Sequence, residues 1–170
     1  MFAPRSTVNV SILAAALSVG GCFQLSGCKS LSGIEEGAAI TKVKKYHLDL
    51  SSQVKATAAD KMINHEYERR LFGAVSQKDR EAREGFYFTV FWTTDNSDVP
   101  AIVRLEYLLE QTNDKVHVQE DEVAAGQTTN VTEFSVLGDE YAEFGEVLAY
   151  RISVHQQGKI VADHQSYLWE

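Results

Sequence analysis

Two cysteines and five histidines are the side chains of this 170-residue sequence best suited to nucleophilic or metal chemistry. Cys22 and Cys28 lie six residues apart in one short apolar segment, with no third cysteine to pair with, which suits neither a disulfide nor a metal site. His47, His65, His117, His155 and His164 nowhere form a His-Glu-x-x-His pair, so no metal is expected. Asp163-His164, with Ser166 two residues on, offers an acid, a base and a nucleophile. Neighbouring strand residues point to opposite faces, however, so Asp163 cannot orient the ring beside it, and His164 and Ser166 would stand roughly 7 Å apart. The eleven glycines are scattered, which removes a phosphate-cradling loop. Acidic runs at Glu120, Asp121 and Glu122, and at Asp139, Glu140 and Glu143, lack the alternating spacing of a calcium loop and read as solvated carboxylates. The expectation is a protein with no catalytic residues and no cofactor, and so no enzyme.

The cysteines acquire a use from their surroundings. Residues 1–28 carry Arg5 as their only charge and an apolar run from Val8 to Val19, the layout of a secretory signal and too short for a membrane span of about 20 residues. Leu25-Ser26-Gly27-Cys28 resembles the lipobox of bacterial lipoproteins. The resemblance implies removal of residues 1–27 and diacylation of the Cys28 thiol, which becomes the new N-terminus. Val19-Gly20-Gly21-Cys22 is the alternative and fits the distance from Arg5 slightly better. Cys28 is preferred because Leu-Ser-Gly is the commoner pattern and because cleavage there leaves no free thiol in an oxidising compartment. Two or three acyl chains hold a protein to a bilayer essentially for good, where one is marginal. Lys29 stands where an aspartate would favour inner-membrane retention, so in a Gram-negative cell the resemblance implies the periplasmic face of the outer membrane.

Sixteen Lys and Arg against 24 Asp and Glu give a net charge of −8, which argues against nucleic acid as a partner. A chain of this size with 44% hydrophobic residues can bury one sizeable core without staples. The expected organisation is a signal over 1–27, a lipidated cysteine and tether over 28–41, and one domain over 42–170.

That domain must be assembled from short elements. Tyr46, Leu48 and Leu50 alternate with His47 and Asp49 as in a half-buried strand, and Met62 to Val75 is ambiguous but leans to strand. Ser76 and Asp79 read as the capped start of one short connecting helix. Phe86 to Thr94 is the clearest strand, apolar on both faces and therefore central. Val103, Leu105, Tyr107 and Leu109 form a strand with one wet face, and Val116 and Val118 open a polar edge strand. Val131, Phe134 and Val136 follow Gly126. Gly138 and Gly145 then bracket a loop over 139–144. Leu148, Tyr150, Ile152 and Val154 lead through a turn at Gln156-Gln157-Gly158 into a C-terminal hairpin.

Strands every 10 to 15 residues or so without long helices imply an all-β antiparallel sandwich of seven to eight strands. The layout resembles immunoglobulin and fibronectin-III sandwiches in architecture, without the paired cysteines of antibody domains, and points to no particular family. The expected role is non-enzymatic: a lipid-anchored envelope protein that binds an envelope partner or serves assembly. The alternative is a membrane-held module for small ligands or carbohydrate. Tyr141 and Phe144 read first as core residues; if any surface binds a partner, it is Asp139, Glu140, Tyr141 and Phe144, an aromatic pair ringed by acids.

Overall fold

The segment from Gly85 to Thr94 organises the molecule. Its aromatic and β-branched residues favour a pleated strand, and both of its faces need cover. In the computed structural model, which describes residues 37–51, 61–112 and 114–169, this segment is β2 (Gly85–Thr94), the middle strand of a three-stranded sheet. Its neighbours are β1 (Ala38–Leu48) and β5 (Thr129–Leu137), both antiparallel to it. A second, four-stranded sheet has β3 (Ala101–Leu109) and β6 (Val147–Gln156) at its centre. β4 (Val116–Val123) and β7 (Lys159–Gln165) form its edges, again all antiparallel. The expected antiparallel sandwich is what the chain forms. The seven described strands divide three and four, and the fourth, β4, joins the sheet of β3, β6 and β7, whereas in the constant-type immunoglobulin fold the fourth strand belongs to the sheet of the first, second and fifth.

The core lies between the sheets. Phe86, Phe88, Val90 and Trp92 of β2 face Val103, Leu105, Tyr107 and Leu109 of β3 and Ile152 and Val154 of β6. The Trp92 indole N–H finds its acceptor inside this layer, at Thr132 Oγ1, 3.3 Å away. Both open sides of the sandwich are stitched by side chains that reach across. Gln119 of β4 donates to Ser135 O on β5 at 3.0 Å, and Lys45 of β1 donates to Val147 O on β6 at 2.9 Å. The Lys45 ammonium also lies 4.5 Å from the Phe86 ring centre, and burial pushes its pKa down. An inward-turned lysine on an edge strand discourages pairing with another chain.

Several local expectations are corrected. β1 begins at Ala38, inside the stretch read as tether: Ala38 and Ile40 pack against the core, and a bulge between Ile40 and Lys42 breaks the alternation that would have revealed them. Met62–Val75 is not a strand; it contains the helix α1 (Lys61–Leu71). Glu66 pairs with Arg69 and Arg70 at 2.9 and 2.8 Å, the i,i+3 and i,i+4 contacts of a helix. The short helix α2 (Gln77–Glu81) starts as expected, with Ser76 and Asp79 each accepting from the other's backbone N–H. The segment expected as a loop between the glycines is a third helix, α3 (Gly138–Phe144). In β6, a register shift opposite Leu108 and Leu109 turns Leu148 outward and buries Val147 and Ala149 in its place.

Candidate functional site

The four residues expected to form a binding surface lie on or beside α3. Gly138, at φ +58°, lets the chain turn from β5 into this helix, where an added Cβ would sit 3.4 Å from the backbone of Ala82. Once turned, the helix reaches both sheets. Tyr141 Oη lies 2.9 Å from His47 Nε2, and the His47 ring is stacked on Phe86 at 4.2 Å between centres. Glu140 Oε1 accepts from the Tyr107 hydroxyl at 2.7 Å and lies 3.2 Å from His117 Nδ1. Gln119 donates to the Tyr107 hydroxyl at 3.1 Å, and the Phe144 ring sits 5.9 Å from that of His117. Burial pushes the Tyr107 phenol far above its ordinary range, and the bond to Glu140 adds to the effect.

The structure gives the two aromatics the core reading. Tyr141 and Phe144 are half-buried and packed against the core, Glu140 is the shared acceptor of a polar cluster, and Asp139 alone of the four is exposed. The arrangement holds α3 as a plug over one end of the sandwich. Glu140→Ala leaves the Tyr107 hydroxyl and His117 Nδ1 without their acceptor. It is expected to cost about 1–3 kcal/mol in urea unfolding, with Glu140→Gln costing less because it keeps an acceptor oxygen for Tyr107. Equal losses for the two variants would contradict the shared-acceptor role.

The acid, base and nucleophile read near the C-terminus do not converge. Asp163 pairs with Ser153 across the ladder and reaches Arg151 at 3.7 Å, while His164 stands opposite Ile152. The Ser166 hydroxyl accepts the Tyr150 N–H at 2.9 Å, prolonging the ladder beyond β7. A pair that the sequence did not suggest lies on the outer face of β6, where Ser153 Oγ is 2.8 Å from His155 Nε2. Burial, reinforced by Arg104, lowers the His155 pKa and favours the neutral ring. Ser153 is 2% exposed, so a substrate cannot reach its hydroxyl. Among the described residues, no three His, Cys, Asp or Glu side chains lie together as metal ligands would.

A groove of about 790 Å³ lies between α1 and the outer face of the three-stranded sheet. The helix is seated by charge rather than by an apolar seam. The Arg70 guanidinium lies 4.1 Å from the Tyr87 ring centre, and Arg69 and Arg70 each come within 3.7 Å of Glu133 on β5. Hydrogen bonds from Arg69 and Arg70 hold the Glu66 carboxyl below its usual range. The first turn of α1 stands clear of the sheet, with Met62 81% and Ile63 55% exposed. Facing them are Phe91 and a 56%-exposed Val131, with Lys44 Nζ 5.3 Å from the Phe91 ring centre. An apolar floor with a cationic rim can accept a flat or extended anionic surface. Sequence reasoning missed it because it read Met62–Val75 as a strand; the charged i,i+4 pair around Glu66 was the signal available.

Comparison with protein-family models, with curated proteins and with solved structures finds no match.

Proposed function

We propose that the protein is a lipid-anchored component of the bacterial cell envelope with a non-enzymatic, partner-binding role, held to the bilayer through an acylated Cys28. The observation that carries this reading is the Leu25-Ser26-Gly27-Cys28 sequence at the end of an apolar segment whose one charge is Arg5. The leader and both cysteines lie outside the described residues. Lys29 favours the outer membrane, periplasmic side, in a cell with two membranes. Support from the body is of a different kind. Glu140 and Asp163, two of the carboxylates that the sequence singles out, are engaged in holding elements together. Among the described residues no helix is long and apolar enough to cross a membrane, so in this reading attachment falls to the acyl chains.

Cys28→Ser tests the anchor. Labelling with a radioactive fatty acid is expected to fall to background, and the unprocessed precursor to accumulate. Retained labelling would place the anchor at Cys22 instead. Labelling of neither protein would remove the lipoprotein reading altogether.

A further inference from the structure

The charge of the chain is unevenly placed. Residues 38–84, which hold β1, α1 and α2, contain ten Lys and Arg against seven Asp and Glu. Residues 85–170 contain four against fifteen. The body is thus bipolar, with a basic first third on a strongly acidic remainder. Exposed apolar side chains concentrate in the same basic third. Of the twelve large hydrophobic residues exposed among the described ones, Met62, Ile63, Tyr67, Phe72 and Val75 fall on α1 and the turn after it, and Val131 faces that helix across the groove. Scattered apolar exposure is ordinary, but five such residues within one helix and its exit turn are a local concentration of it. The two acids lining the groove, Glu66 and Glu133, are engaged by Arg69 and Arg70. Lys42 and Lys44 are exposed, and neither is paired with a carboxylate.

We propose that the face formed by β1, α1 and the groove between them rests on an anionic lipid surface, Lys42 and Lys44 meeting the headgroups while Met62 and Ile63 enter the interfacial layer. The inference rests on the lipid-anchor reading and deepens it. Nine residues separate Cys28 from Ala38, so even a fully extended tether keeps β1 within about 35 Å of the acylated cysteine. An acidic body so close to an anionic bilayer is repelled except through its basic third. Electrostatic attraction together with apolar side chains is the combination that holds a helix at a membrane interface. The acidic four-stranded sheet of β3, β4, β6 and β7 then faces away from the bilayer, which leaves it available to an envelope partner.

The test uses the lipidated protein reconstituted in vesicles of phosphatidylcholine alone or with phosphatidylglycerol. Flotation reads the anchor; amine-reactive footprinting read by mass spectrometry reports the face. Modification of Lys42 and Lys44 is expected to slow about fivefold or more in the anionic vesicles, in line with the attraction of one lysine to such a surface. Lys115, in the acidic part of the chain, should react equally in both. Added salt should restore the reactivity of Lys42 and Lys44. So should Met62→Asp, a change at an 81%-exposed position that leaves the core intact. Protein that floats in both vesicles but shows equal Lys42 and Lys44 reactivity overturns the inference and leaves the anchor standing. Protection that instead scales with protein density, whatever the lipid, overturns it in favour of contact with a second copy. Protein that does not float overturns both readings.

Discussion

Trp92→Ala is expected to destabilise the domain by about 3–5 kcal/mol, the range for truncating a large buried aromatic, and so to remove much of the stability of a chain this size. Trp92 is 1% exposed near the C-terminal end of β2, in the core layer it shares with Val103 and Leu105. Removing it opens a cavity between two sheets whose spacing is fixed by many other contacts, so collapse can be only partial. It also strips the buried Thr132 hydroxyl of its indole donor. Trp92→Phe separates the two contributions: most of the volume stays and the hydrogen bond goes, so the loss should be about 1–3 kcal/mol. Urea unfolding followed by circular dichroism measures both. A Trp92→Ala midpoint indistinguishable from that of the parent would contradict the core described here.

Gly85→Ala is the second large effect, and its origin is steric. Gly85 opens β2 at φ +135°, between Leu48 of β1 and Leu137 of β5. An added Cβ would overlap Val136 O and lie 3.2 Å from Leu137 Cα, both backbone atoms of a paired strand with no freedom to swing away. Dihedral strain of about 1–3 kcal/mol therefore adds to a displacement of β5 from β2, and a total of about 3 kcal/mol or more is expected. Gly126→Ala is the control. Its φ of +126° is similar, but nothing stands within 4 Å of the Cβ, so it should carry the dihedral strain alone. Equal losses at the two positions would show that the approach of Val136 to Gly85 is not what requires glycine there.

Legibility in the sequence followed the length of uninterrupted alternation. β2 and β3 bury every second residue over nine or ten positions, and the hydrophobic pattern alone suffices to place them. The capped start of α2 and the turn before β7 depend on neighbouring residues and were readable for the same reason. What escaped has a physical cause in each case. Bulges at Thr41 and Leu148 shift the period by one, so Ile40 is hidden in an apparent tether and Leu148 is credited to the wrong face. On β1 both sides are covered, and Leu48 is fully buried as its alternation suggests. His47 points into the sandwich onto Phe86, while Tyr46 pairs with Tyr87 beneath α1. α1 has no apolar stripe to detect, because it is seated by Arg70 on Tyr87. The plug role of α3 rests on His47 and His117, far from it in the chain, which no local pattern encodes.

The anchor is the claim from which the membrane orientation and the partner-binding role both follow, and the mature N-terminus tests it most directly. Intact-mass and peptide mass spectrometry of the protein extracted from membranes is predicted to show a chain beginning at Cys28, with a diacylglycerol in thioether linkage to its sulfur. A chain that retains Met1 and carries Cys28 as an unmodified thiol would contradict the account.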